Sequence, residues 1–194
     1  MPQLNDAKEF FDETFESLDA RDFSIDGKEF EGCTFIRSQF TNARFQRCRF
    51  LDCRFENCDL SNVSLKNSSL RDVTFHSSKM IGINWTEAAV LSFLKFDECV
   101  LNFGIMTALE LKKFVMQNSV AHEMELTQAN LSDANLQMTD FSGSRFHQTN
   151  LSRADFRGAR NYAVHPVENI LKQAKFSLPE ATSILYQLDI VLDS

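Results

Sequence analysis

Features that usually announce chemistry are missing from this 194-residue chain. It has no glycine-rich phosphate loop, no histidine pair at metal-binding helical spacing and no nucleophile elbow. The four histidines, His76, His122, His147 and His165, are scattered along it. An enzyme is therefore not expected, nor a metal or other cofactor. No apolar run approaches the roughly 18 residues of a membrane span. The opening residues, Met1 to Asp6, lack both the basic region and the apolar stretch of a secretory signal. A cytoplasmic location is the expectation. Positive charge is in deficit as well: 27 Asp and Glu face 20 Lys and Arg, for a net charge of −7. That balance argues against direct nucleic-acid binding and favours basic partners, or grooves that ordinarily hold nucleic acid. Tryptophan and tyrosine are scarce, at one and two residues, whereas phenylalanine reaches 19. Such a bias suits an interior of stacked rings that need no polar partner.

What the chain has in abundance is a period of five. From residue 30 to residue 85 every fifth position is large and apolar: Phe30, Phe35, Phe40, Phe45, Phe50, Phe55, Leu60, Leu65, Leu70, Phe75, Met80 and Trp85. Two residues before each centre from Phe35 onward stands something small or β-branched, as in Cys33, Ser38, Ala43, Val63 and Ser68. Five steps match neither the 3.6-residue helical turn nor the two-residue alternation of a strand. A chain that turns the same way every five residues satisfies the pattern, because each centre then faces a common axis. The small residue at i−2 would also point inward, near a corner. Asn42, Asp52, Asn57, Asn62, Asn67 and Asp72 stand two residues beyond the centres, where their tolerance of left-handed backbone fits a corner. Stacked coils would pair their backbones in parallel ladders.

Three strings, Ala129, Asn130, Leu131; Ala134, Asn135, Leu136; and Ala154, Asp155, Phe156, resemble the A(D/N)LXX signature of pentapeptide-repeat proteins. The resemblance implies an all-β fold: a right-handed quadrilateral parallel β-helix with four pentads per coil. It extends over about residues 30–160, and a short helical tail is expected after it. Residues 1–29 count nine acidic against three basic side chains. Phe10 and Phe15 keep the register there, but Ala20 and Ile25 fit it poorly, and Phe11, Phe15 and Leu18 could equally mark a helix face. An irregular acidic cap or first coil is expected. The register breaks over residues 86–95 and resumes one residue out of phase at Phe96, an insertion that must bulge or be absorbed at a corner. Between Met106 and Leu126 the inward position holds Leu109, Phe114 and Met124, too large for it, so this coil should be distorted or wider. Residues 161–194 read as a helical cap and dimerisation segment. One short helix would run from Pro166 through Leu171; a second, with Ser177 as N-cap, would carry Ala181, Ile184, Leu185 and Leu188. A short strand would cover residues 189–192. Cys33, Cys48, Cys53, Cys58 and Cys99 all occupy the inward position, where free, buried thiols acting as small fillers are expected.

Residues 31–95 carry nine basic against six acidic side chains, with Arg37, Arg44, Arg47, Arg49 and Arg54 prominent. No exposed aromatics interleave with them as a stacking platform requires, so a solvated outer face is expected. Within the family, the chain is most similar to proteins that protect DNA gyrase: the Qnr quinolone-resistance proteins and the immunity proteins against albicidin and microcin B17. Gly82, Ile83, Asn84, Trp85 and Thr86, and the stretch from Phe176 to Ile190, carry that similarity. It implies a DNA-mimicking rod that binds a type II topoisomerase and protects it from poisons. It also implies a homodimer joined end to end through Ile184, Leu185, Leu188, Ile190 and Val191. Glu87, Asp97, Glu98, Glu110, Glu123, Glu125, Asp133 and Asp140 would form the acidic partner-binding face and the contact at the break. A generic protein-interaction scaffold with no gyrase role is the alternative.

Overall fold

Each pentad buries its centre and its i−2 residue, exposes the residues beside the centre, and turns at the residue two beyond it. The turning residues adopt left-handed backbone, with φ between 47° and 62° for every non-glycine among them. Asn and Asp take that conformation at Asn42, Asp52, Asn57, Asn62, Asn67 and Asp72, as the sequence pattern predicts. The result is a right-handed, four-sided parallel β-solenoid of about eight coils with one small C-terminal helix. This computed structural model describes residues 4, 7–188 and 190.

Strand pairing sets the four sides. Phe10 pairs with Phe30, Phe30 with Phe50 and Phe50 with Leu70, and this column defines face 1. Phe15, Phe35, Phe55 and Phe75 stack in the same way on face 2. Faces 3 and 4 hold Ala20, Phe40, Leu60, Met80 and Ile25, Phe45, Leu65, Trp85. In these columns every partner is 20 residues away, or four pentads. The corner after each face takes that face's number, and coil 1 begins at Phe10. All twelve centres expected in the core are buried. Rings in one column lie nearly parallel at the coil spacing. Phe30 and Phe50 are 5.0 Å apart with 10° between planes, and Phe75 and Phe96 are 4.9 Å apart with 4°. Neighbouring columns meet edge to face, as Phe45 meets Phe50 at 88°, the arrangement that ring quadrupoles favour.

Inward hydroxyls and thiols have a second use beyond small size. The Ser68 hydroxyl accepts the Cys48 N–H at 2.9 Å and donates to the Phe45 carbonyl at 2.9 Å. Ser78 does the same for the Cys58 N–H. Ser38 and Ser119 accept the N–H groups of Leu18 and Cys99. Backbone donors that the ladder leaves over at the corners are thereby satisfied inside the core. All five cysteines are free and buried. Burial raises their thiols above the ordinary range, Cys53 to about 12 and Cys48, Cys58 and Cys99 to about 11.

The solenoid is longer than residues 30–160. Strand Glu9–Phe11 pairs with Glu29–Glu31, Thr14–Glu16 with Thr34–Ile36, and Ala20 and Ile25 are buried centres. Residues 10–29 are thus a regular coil rather than an irregular cap, because a small centre is tolerated when its neighbours are Phe. At the other end Ala163–Val164 pairs with Arg145–Phe146, Ile170 bridges Asn150, and Lys175 bridges Asp155. The helix expected between Pro166 and Leu171 is therefore a final coil ending near Phe176, whose ring stacks on Phe156 at 5.1 Å. The second helix is present over Thr182–Tyr186. It begins later than expected because the Ser177 hydroxyl is engaged by the Gly158 N–H instead of capping it. The strand expected over residues 189–192 lies outside the described residues, apart from Ile190.

The break after Trp85 is one residue wide. A 3-10 turn, Trp85–Glu87, absorbs it at corner 4, with the Asn84 side chain accepting the Thr86 N–H at 3.1 Å. The pairing offset becomes 21, Leu70 with Leu91 and Phe75 with Phe96, then returns to 20. Leu91 and the buried Leu94 supply the pentad that residues 86–95 lacked on paper.

Candidate protein-binding surface

A position on one corner or side recurs every 20 or 21 residues, so the surface is a set of vertical columns. The eight acids expected as a partner-binding face do not share one. Asp97 lies on face 2 and Glu98 on corner 2, on either side of His76, whose ring nitrogens are 3.4 and 3.8 Å from their carboxylates. Glu110 is on face 1 and accepts from the Asn130 amide at 2.7 Å. Glu123 is on corner 3 and leans over Gly143, where a Cβ would meet its Cγ at 3.1 Å. Glu125, on face 4, stands 3.5 Å from Arg145. Asp133, on corner 1, binds the Arg153 guanidinium through both oxygens at 2.6 and 2.8 Å. Glu87, in the turn at the break, accepts the Ser64 hydroxyl at 2.7 Å.

Asp140 is the odd member, being buried on face 3. Burial alone would raise its carboxyl, but bonds from Asn161 and from the Ser142 hydroxyl and N–H override it. The group is held well below the usual carboxylate range. Arg160 approaches it at 3.0 Å and His122 at 3.5 Å. It is a structural knot between coils 6, 7 and 8 rather than an exposed charge. The eight acids therefore spread over all four sides, because their spacings are not multiples of 20.

The column the sequence reading missed is corner 1. Asp12, Gly32, Asp52 and Asp72 succeed one another there, and with Glu31 and Leu51 they line a shallow open groove. Gly32 has φ +64°, and a Cβ there would lie 2.1 Å from Asp12 Oδ1, so a larger residue would displace the Asp12 carboxylate. The Asp12 carboxylate leans into the space that Gly32 leaves, so it partly covers the one coil of the first four that has no acid at this corner. Among the described residues none of Asp12, Glu31, Asp52 and Asp72 forms an ion pair. Arg54 and Arg71 flank the edge without closing on it. The signal was available, since 52 and 72 differ by 20 and 12 precedes 52 by 40. The arginines of coil 2 behave as a solvated face, Arg37 pairing with Glu16, Arg47 with Asp26 and Arg49 with Glu29 in the coil below.

The C-terminal end is apolar. Leu185, Leu188 and Ile190 are exposed there, together with Val167, Leu178 and Tyr186. Ile184 instead packs against the core, and Val191 lies outside the described residues. No helix among the described residues is long and apolar enough to cross a membrane.

Comparison with known proteins agrees with this geometry. A family model described as a pentapeptide repeat region matches residues 28–104, and one described as pentapeptide repeats in eight copies matches residues 125–160. Together they span more than half of the chain. None of the curated proteins matches it in sequence. Among solved structures, a trypsin-treated point variant of QnrB1, a plasmid-mediated fluoroquinolone resistance protein, is 18% identical with a TM-score of 0.58, covering 96% of this chain and 97% of that one. Full-length QnrB1 is 16% identical with a TM-score of 0.57, covering 94% and 100%. HetL from the cyanobacterium Nostoc sp. strain PCC 7120, involved in regulating heterocyst differentiation, is 16% identical with a TM-score of 0.50, covering 90% and 91%. At these identities the likeness speaks for the fold.

Proposed function

As the chain belongs to the pentapeptide-repeat family, we propose that it is a cytoplasmic protein-binding rod that imitates DNA. Its partner is a type II topoisomerase, DNA gyrase by resemblance, which it protects from poisons such as quinolones or peptide antibiotics. The observation that carries this reading is the unpaired acidic edge at corner 1. Over coils 1 to 4 the corner carries Asp12, Asp52 and Asp72, with Glu31 beside it in coil 2 where Gly32 takes the corner. The coil spacing of about 4.8 Å is comparable with the roughly 3.4 Å of axis per phosphate on one DNA strand. Eight coils give a rod roughly 38 Å long. The exposed apolar end, with Leu185, Leu188 and Ile190, suits a two-fold contact that joins two rods and nearly doubles that length.

Charge reversal tests the reading. Wild-type protein should bind gyrase, compete with DNA, and preserve supercoiling in the presence of a poison, with binding that weakens as salt is added. The triple change Asp12→Lys, Asp52→Lys, Asp72→Lys should abolish all three effects and leave the fold intact by circular dichroism. Leu185→Glu should give a monomer in sedimentation. If wild-type protein neither binds gyrase nor competes with DNA at low salt, the scaffold reading replaces this one.

A further inference from the structure

Each coil is normally tied to the next on face 1 by three backbone bonds. Between coils 6 and 7 these run from Leu111 N–H to the Asn130 carbonyl, from Lys113 N–H to Ser132 and from Asn130 N–H to Leu109, at 2.9, 3.0 and 2.9 Å. Between coils 7 and 8 the same three join Leu131, Asp133 and Asn150 to their partners. Between coils 5 and 6 the equivalent donors, Leu91, Phe93 and Glu110, make none of them, and strand Val90–Ser92 ends its sheet. The cause is inside. Leu109 and Phe114 occupy inward positions built for small side chains, and the Phe114 ring wedges against Phe96 at 5.4 Å.

The opened ladder leaves a cleft of about 90 Å³ between the two coils. Its floor is apolar, formed by Leu91, Leu94, Leu111 and Phe114. Phe93 stands at its mouth, 56% exposed and in left-handed backbone at φ 53°. That conformation is costly for an aromatic residue, and Asn would serve a bare corner better. Lys112 lines the opening, Lys113 follows it at corner 1 one coil above Phe93, and Lys95 lies two residues beyond Phe93. All three are exposed, and among the described residues none forms an ion pair. Of the nearby acids, Glu110 is held by Asn130 and Asp133 by Arg153, while Asp72 lies one coil below.

We propose that this cleft is a docking site for an extended acidic segment of a partner protein, which inserts one apolar side chain between coils 5 and 6. The volume is far below the roughly 300–1,000 Å³ of small-molecule pockets, so it fits a side chain rather than a free ligand. Free donors and acceptors on both walls can bond the segment's backbone, as in strand addition to a sheet edge. The lysines select acidic residues on either side of the inserted one, and Phe93 is covered on docking. The site is separate from the acidic edge, and loss of gyrase binding would leave it intact.

The test uses the full chain, labelled with 15N, and three capped pentapeptides. One has leucine flanked by two acidic residues on each side, one has lysines in place of the acids, and one has glycine in place of the leucine. The acidic leucine peptide should give saturable shifts confined to residues 90–95 and 110–115, at least tenfold tighter than either control. Phe93→Asn, which suits the corner and keeps the fold, should weaken it at least tenfold. Without peptide, the amides of Leu91, Phe93 and Glu110 should exchange at least tenfold faster than those of Leu111, Lys113 and Asn130. Absence of saturable binding, equal affinity for the lysine peptide, an unchanged Phe93→Asn variant, or equal exchange protection would each overturn the proposal.

Discussion

Coils 1 to 3 and coils 5 to 6 are built on the same pentads but packed with different side chains. In coils 2 and 3 of the first region phenylalanine fills most centres and cysteine, serine or alanine most inward positions, so rings stack at about the coil spacing and the face 1 ladder is complete. In the second the centres shrink to Leu111, Met116 and Ala121, while the inward positions grow to Leu109, Phe114 and Met124. The total apolar volume is roughly conserved but its radial placement is not. Bulk near the corners pushes neighbouring coils apart on face 1, whereas bulk at the centres holds them together. The solenoid thus tolerates wide changes in composition as long as large groups stay at the centres.

The sharpest way to break this comparison is to remove a ring from the ordered region. Phe50→Ala should cost about 3–5 kcal/mol in urea unfolding, and Leu111→Ala beside the cleft about 2–3 kcal/mol. Equal losses would mean that the two regions are packed alike. Next in size is the inward hydroxyl. Ser68→Ala leaves the Cys48 N–H without its acceptor and should cost about 1–3 kcal/mol. No measurable loss would show that the ladder alone satisfies these donors.

Corner chemistry should give smaller effects. Gly158 has φ +72°, and a Cβ there would come within 2.2 Å of Met138 Sδ, while at Gly27 nothing lies within 4 Å. Gly158→Ala should cost about 1–2 kcal/mol and Gly27→Ala no more than about 1 kcal/mol, the left-handed strain alone. Phe93→Asn should do the reverse and stabilise by up to about 1 kcal/mol, since it relieves that strain without emptying the core. A destabilised Phe93→Asn would mean that the exposed ring is part of the packing.

The smallest effect is in acid. Its bond to the Arg157 guanidinium holds Asp155 at about 2, below the ordinary value near 4. A depressed carboxylate contributes stability that is complete above its unfolded pKa and is lost as pH falls through the folded one. Stability should therefore decline between about pH 4 and pH 2, and Asp155→Asn should flatten that part of the curve. An unchanged acid limb would assign the decline to other carboxylates.

The sequence by itself determined the period, the inward centres, the small i−2 residues and the left-handed Asn and Asp corners, because these are local demands of a chain that turns every five residues. It also marked Met106 to Leu126 as a distorted coil, from side-chain volume alone. Only the tertiary structure decided where the solenoid ends. Ala20 and Tyr162 are poor pentad residues in isolation, and neighbouring coils hold them in place. It also decided which charges meet. Asp12, Asp52 and Asp72 are 20 to 60 residues apart in the chain and form one edge, whereas Asp133 and Asp140 are seven apart and face different sides. Register around a four-sided coil maps sequence distance onto surface position, and a single inserted residue at Trp85–Glu87 resets that map for every pentad after it.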